Sequence, residues 1–304
     1  MMEVRNLTFT YGKKTVNECK VLDDISFEIR EGELIGLIGS SGSGKTTLIK
    51  HLNGLLKADS GDILFHGQSI YDKKYVLSKL RKEVGLVFQY PEQQLFKNTV
   101  LADVSFGPLN MGLSHEDAEK SAKESLELVG IDSDYYYVSP LELSGGQKRC
   151  VAIAGVLAMN PKILVMDEPA AGLDPGTRRS IYQLVERIKK ERQIAVVLVS
   201  HHMEDVAEYA DRVLVLHDHR LVRQGTVREI FNQIDYLKSI GIGVPQITDV
   251  TEKLRLSGFP IEHAAITVDE AEKMILEVLQ KRKESADDTR YYDRTVLCKY
   301  LGCP

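Results

Sequence analysis

Residues 35–52 read "IGLIGSSGSGKTTLIKHL". An apolar run enters a stretch of glycines and serines, then come one lysine, two threonines and a helical pattern. Gly39-Ser40-Ser41-Gly42-Ser43-Gly44-Lys45-Thr46 fits G-x-x-x-x-G-K-[ST]. The glycines let the backbone curl so that successive N–H groups point inward at phosphate oxygens. A helix beginning at Gly44 adds its positive dipole end. Lys45 brings a mobile point charge for the β- and γ-phosphates, and Thr46 a hydroxyl for Mg²⁺, a hard ion that takes oxygen ligands. The competing reading is a glycine-rich turn with a surface lysine. The strand before and the helix after decide for the phosphate.

Working outward, the 304 residues suit one large domain or one domain with an appendage. A net charge of −5 supplies no basic field for nucleic acid or anionic lipid. Cys19, Cys150, Cys298 and Cys303 show no metal or disulfide spacing, which points to a reducing compartment. No apolar run approaches the roughly 18 residues of a membrane span, and the N-terminus lacks the apolar core of a signal peptide. The chain is expected to be soluble by itself yet able to dock on a membrane partner.

Before the loop, "EVRNLTFTY" and "LDDISFEIREGELIGLIG" predict three strands, with a turn at Glu31-Gly32. After it the spacing predicts a helix from Gly44 to about Leu55, a small strand pair in "GDILFHGQSI", and a strand ending at Gln89. Residues 90–140 read as a helical insertion, with a charged helix stopping at Gly130. A buried helix (144–160), a buried strand in "KILVMDEP", an amphipathic helix, the strand "IAVVLVSHH", a short helix and a terminal hairpin follow. Strands alternating with helices imply a mostly parallel sheet. Past Gly225 the pattern weakens to short helices, a loop "GIGVPQITDV" and a charged tail that reads as partly disordered.

Two further constellations carry chemistry. "KILVMDEPAAGLDP" (162–175) delivers Asp167 and Glu168 at the C-terminal end of a buried strand, where open α/β sheets present catalytic groups. Asp167 suits the Mg²⁺ shell, and Glu168 suits the general base that polarises an attacking water. "LELSGGQKR" (141–149) opens another helix with Ser144, Gly145, Gly146 and Gln147, a second anion-binding turn. One phosphate site needs one such turn, so the second is expected to grip nucleotide held by another subunit. The plain alternative is a serine N-cap, but ordinary caps do not call for Gly-Gly-Gln.

The phosphate loop, "LSGGQ" and "DEP" together resemble the ATP-binding cassette (ABC) family of ATPases over about residues 1–230. That resemblance implies an α/β, P-loop NTPase (RecA-like) core with an antiparallel β subdomain and the helical subdomain at about 90–140; beyond it a small C-terminal extension (231–284) is expected to help two ATPases pair, as the narrower likeness below implies, and 285–304 reads as a tail that matches neither. It implies ATP and Mg²⁺, with Tyr11 stacking on adenine and Gly39 through Thr47 holding the phosphates. It places Gln89 on Mg²⁺ and the attacking water, Asp174 on the loop that crosses to the partner, and His201 on the γ-phosphate, with His202 beside it as a competitor. "FQYPEQQLF" (88–96), "HLNGLL" (51–56) and "VAIAGVLAM" (151–159) are similar to the ATPase components of energy-coupling factor transporters, importers of vitamins and transition-metal ions. That narrower likeness implies a paired ATPase subunit (self or paralogue), a transmembrane coupling protein of the EcfT type and a substrate-capture S component, with the chain peripheral on the cytoplasmic face. A groove at Leu95 and Phe96 is expected to receive the coupling protein. Two positions depart from the pattern: Cys150 stands where an Arg is usual, with Arg149 beside it, and Ala170 replaces a Thr or Ser. A soluble cassette ATPase of translation or DNA repair is the alternative, disfavoured by the single cassette, the acidic balance and the lack of a long heptad run. A subunit that binds ATP without hydrolysing it is disfavoured by Glu168, Gln89 and His201.

Overall fold

The apolar runs alternate between two faces once they are extended. In Ile163–Asp167, Leu164 and Met166 join one core cluster while Ile163 and Val165 join the other. That is the two-residue period of a strand buried on both sides, as a parallel sheet requires.

The computed structural model describes residues 1–285 and divides into two units, Met1–Val244 and the segment from Pro245 onward. In the first unit β1 (Met2–Tyr11), β2 (Cys19–Ile29) and β3 (Leu34–Gly39) lead into α1 (Lys45–Leu52). Then come β4 (Ser60–Phe65), β5 (Gln68–Ser69), α2 (Leu77–Glu83) and β6 (Val84–Val87). The helices α3 (Val100–Asn110), α4 (His115–Leu128) and α5 (Gly145–Leu157) precede β7 (Ile163–Asp167). The rest runs α6 (Pro175–Arg192), β8 (Ala195–Val199), α7 (Met203–Tyr209), β9 (Arg212–His217), β10 (Arg220–Thr226), α8 (Val227–Phe231) and α9 (Ile234–Ser239). The second unit holds α10 (Gln246–Leu256) and α11 (Val268–Ser285). No helix among the described residues is long and apolar enough to cross a membrane.

Two sheets result. One has strand order β2-β1-β4-β5 and is antiparallel throughout; the other has order β10-β9-β3-β8-β7-β6 and is parallel except for β10. One core cluster packs β1, β2 and β4 with α1 against one face of the parallel sheet, and the other packs α3 to α6 against the opposite face.

Several boundaries differ from the spacing's forecast, each for a local reason. Helix α1 stops at Leu52 instead of Leu55, because the Asn53 amide turns to donate to the Val84 carbonyl (2.5 Å) and Gly54 adopts φ +69°. Strand β6 ends at Val87 instead of Gln89, because Tyr90 takes a left-handed φ of 54° and starts a 3₁₀ turn at Pro91–Gln94. The short helix α2, with Leu80 as its one buried anchor, carries too little periodicity to be foreseen. In the second unit "QITDV" is helical, since the loop ends at Pro245, which precedes α10. Residues 281–285 continue α11, and the rest of the charged tail lies outside the described residues.

Candidate functional site

The parallel register aligns the strand ends: Leu37 and Asp167 both pair with Val199, and Val87 pairs with Met166. The loops leaving β3, β6, β7 and β8 therefore emerge along one edge, the ligand-binding edge of an open α/β sheet.

From β3 the chain enters the glycine loop. Gly44 has φ +105°, and a Cβ there would lie 2.5 Å from the Val21 carbonyl oxygen of β2, so only glycine lets the loop pass the strand. Gly42, at φ +77°, faces open space. Lys45 is buried, and its ammonium donates to the carbonyls of Gly39 (2.8 Å) and Ser40 (2.9 Å), two of its three N–H bonds. Burial pulls its pKa down from the usual lysine value, against the pull of Glu168 and Asp167. Ser40 also accepts the Ser43 backbone N–H, Ser41 is exposed, and the buried Ser43 hydroxyl has no partner among the described residues.

Thr46 donates to the Asp167 carboxylate (Oγ1 to Oδ2, 3.0 Å). Burial raises the Asp167 carboxyl above its ordinary range, with the Thr46 hydrogen bond acting in the opposite direction. Glu168, the next residue, takes a left-handed φ of 49°. Its N–H donates to the Val199 carbonyl and its carbonyl accepts from Ala171, so its backbone is pinned on both sides. Gln89 Nε2 donates to one carboxylate oxygen (3.1 Å) and His201 Nε2 approaches the other at 2.7 Å. Gln89 and His201, read from sequence as ligands of metal and phosphate, are thus brought together on the acid itself. His202 stands at the N-terminal end of α7, its backbone N–H donating to the Ser200 hydroxyl.

Tyr11 is exposed at the end of β1, edge-on to Phe9 at 4.7 Å, with its hydroxyl 3.4 Å from that of Thr47. Beneath them lies His51, which sequence reasoning did not single out. It is fully buried, donates from Nδ1 to the Thr47 carbonyl (2.8 Å) and meets the Phe9 ring edge-on. Its place on the buried face of α1 was the available signal.

The second turn has local duties of its own. The Ser144 hydroxyl accepts from the Gln147 N–H and the Gln147 carboxamide accepts from the Ser144 N–H, a complete capping box. A side chain at Gly146 would press 3.3 Å against Thr177, so the glycine lets α6 approach. The argument that a cap has no use for Gly-Gly-Gln therefore fails for Gly146 and Gln147. It stands for Gly145, whose added Cβ would meet nothing. Asp174 caps α6, accepting from Gly176 (3.0 Å) and Thr177 (3.1 Å).

Arg149, marked in the sequence only as the neighbour of Cys150, is buried and hydrogen-bonds to Glu92, Pro169 and Ala171. Leu95 packs against the core, whereas Phe96 is exposed, edge-on to Phe106 at 5.0 Å with the Lys97 ammonium over both rings.

Comparison with known proteins gives the family. Residues 22–171 fit the ABC transporter family. Over 283 residues the chain is 48% identical to the energy-coupling factor transporter ATP-binding protein EcfA2 of Clostridium acetobutylicum, covering 93% of this chain and 99% of that one. The chain belongs to the ATP-binding proteins of energy-coupling factor transporters. Within this family it is also 50% identical over 264 residues to EcfA2 of Symbiobacterium thermophilum, covering 87% of this chain and 91% of the relative. The fold of this ABC ATPase superposes on that of cbiO1 from Clostridium perfringens, part of the ABC transporter complex cbiONQ, with a TM-score of 0.70 and 36% identity over 83% of this chain and 98% of that one. A dimeric ATP-binding cassette in a post-hydrolysis state with ADP and Pi gives a TM-score of 0.66 and 31% identity, over 75% and 99% of the two chains.

Proposed function

We propose that this ATPase powers an energy-coupling factor importer from the cytoplasmic face of the membrane, hydrolysing Mg²⁺-ATP at sites shared with a second cassette subunit. The observation that carries the reading is the assembly at one sheet edge of a phosphate loop, the Thr46–Asp167 pair and a Glu168 carboxylate held by both Gln89 and His201.

The residues fit the ligand they are assigned. The Ser43 hydroxyl, without a partner among the described residues, sits inside the glycine loop, where a phosphate oxygen would complete it. Lys45 has one N–H to spare and swings from the Gly39 and Ser40 carbonyls to the β- and γ-phosphates. Tyr11 offers its exposed ring to the adenine, with its hydroxyl beside that of Thr47. The oxygens of Thr46, Asp167 and Gln89 are the hard donors that Mg²⁺ takes, and the ion supplies charge neutralisation on the phosphates. Glu168 accepts the proton of the attacking water. A carboxylate has about four lone-pair positions, and the Gln89 hydrogen bond to one oxygen with the close approach of His201 to the other leaves room for that water.

Ser144 and Gly145 close over the γ-phosphate of ATP held by the partner. The Ser144 hydroxyl accepts within its cap and still has its own proton to donate. Gly145 is bare where nothing among the described residues requires it. Gly146, Gln147 and Asp174 shape the two adjoining turns that meet the partner. Loss of the γ-phosphate removes the charge bridging the halves, and the pair opens. The exposed Phe96 with Lys97 and Phe106 receives a transmembrane coupling protein, which in turn works with a membrane capture protein for a vitamin or metal ion. Residues 1–230 form the ATPase domain, with about 90–140 as its helical part, and 231–284 assist pairing of the two ATPases.

The test is Glu168→Gln in the paired complex. Turnover is expected to fall by about 10²- to 10⁴-fold, the range for a lost general base, with ATP retained and the pair closed on a sizing column. Unchanged turnover refutes the assignment. Full-rate hydrolysis by a strictly monomeric chain refutes the shared site.

A further inference from the structure

Arg149 is the side chain through which three functional segments meet. It lies early in α5, four residues past the end of Ser144-Gly145, and its side chain is only 3% exposed. Nε and Nη2 grip both oxygens of Glu92, at 3.0 and 2.7 Å, a bidentate fork. Nη1 donates to the Pro169 carbonyl at 3.1 Å and to the Ala171 carbonyl at 2.9 Å. Four of its five N–H donors are thereby engaged.

The acceptors are the telling part. Glu92 sits in the 3₁₀ turn that Tyr90 starts, three residues after Gln89. Pro169 and Ala171 flank the turn that follows Glu168, and Ala171 itself donates to the Glu168 carbonyl. Gln89 and Glu168 meet at 3.1 Å. One guanidinium thus braces the segments carrying both of those groups, and it does so from the helix that Ser144 caps. Burial alone would push the Glu92 carboxyl up, but the Arg149 hydrogen bonds and charge more than offset this and hold it below its usual range. The fork is an ion pair at pH 7.

We propose that Arg149 is a positioning residue that couples the two shared ATP sites, setting the Gln89–Glu168 geometry of this chain's own site according to the placement of the α5 turn that this chain lends to its partner's. This rests on the shared-site reading above. A shift of α5 on closure moves Glu92 and the 169–171 carbonyls together, because the planar fork transmits direction as well as charge. A lysine keeps the charge but cannot satisfy Glu92 and two carbonyls in these directions.

The experiment uses the complete complex with its partner ATPase, comparing wild type, Arg149→Lys and Glu92→Gln. Glu92 is partly exposed, so its variant reaches the same link without opening a buried site. The expected result in both variants is a kcat lowered by about tenfold or more, some 1.4 kcal/mol of barrier, with KM for ATP within about threefold, since neither residue contacts the phosphate loop. A purely structural role moves the melting temperature without splitting kcat from KM. The proposal is overturned if either variant keeps kcat within about twofold of wild type, or if KM rises in step with the loss of kcat. Failure of the shared-site reading is separately visible, because wild type itself would then hydrolyse ATP without pairing.

Discussion

Gly42 and Gly44 lie two residues apart in one loop and both have positive φ, yet the structure assigns them opposite duties. At Gly44 an alanine would carry its methyl to 2.5 Å from the Val21 carbonyl oxygen and 3.0 Å from Leu22 Cδ2, at φ +105°. A side chain at such a φ costs about 1–2 kcal/mol, and overpacking against a fixed strand adds about 1–3 kcal/mol. For a unit spanning Met1–Val244, each kcal/mol moves the midpoint by roughly 2–4 °C. Gly44→Ala should therefore melt about 4–20 °C below wild type. At Gly42 the methyl meets nothing, so only the φ +77° strain applies. That strain is partly offset by about 0.4–1 kcal/mol from a stiffer unfolded chain, and the drop should stay under about 6 °C. On the proposed phosphate-cradle reading the open space its methyl would enter belongs to the phosphate, so ATP affinity should fall by about tenfold or more, or at least 1.4 kcal/mol. Thermal melts and titration with a fluorescent ATP analogue read the two quantities separately. Equal melting of the two variants would refute the β2 clash, and a Gly42→Ala variant with undiminished affinity would refute the phosphate cradle.

Asp167→Asn keeps an acceptor for Thr46 but removes a desolvated charge. The nucleotide-free variant should be more stable than wild type by about 0.5–2 kcal/mol at pH 7, while turnover collapses. The raised carboxyl pKa fixes the sign: wild type is penalised above that pKa and relieved below it, so the gap in melting temperature between the two should close as pH falls. Ser144→Ala removes the cap of α5 and should cost about 1 kcal/mol. Ser144→Asp keeps a good cap, so it should melt like wild type, yet it places a carboxylate against phosphate and should abolish turnover of the pair. Phe96→Ala, at an exposed position, should change stability by no more than about 0.5 kcal/mol and leave ATP binding intact. Pull-down of the membrane coupling protein should nevertheless fail, and retained assembly would clear Phe96 of that role.

What the sequence made legible was whatever repeats a short-range rule. Strands β3, β7 and β8 announce themselves as apolar runs, α4 and α6 by helical spacing, and the phosphate loop by a fixed string of residues. Asp167 and Glu168 could be placed at a strand end for the same reason. The meeting of residues distant in the chain was not legible. Nothing local says that Gln89 and His201 converge on Glu168, since this depends on β6, β7 and β8 being adjacent and in register. Nor does spacing reveal that Glu92 will face Arg149, 57 residues away. The capping box shows the reverse error, in which a motif invites a distant explanation although part of it is local. Gln147 closes its own helix end, and Gly146 makes room for Thr177. Subtracting those duties leaves Ser144's free proton and bare Gly145 as the groups of this turn with no use among the described residues, and it is this remainder that argues for a second subunit.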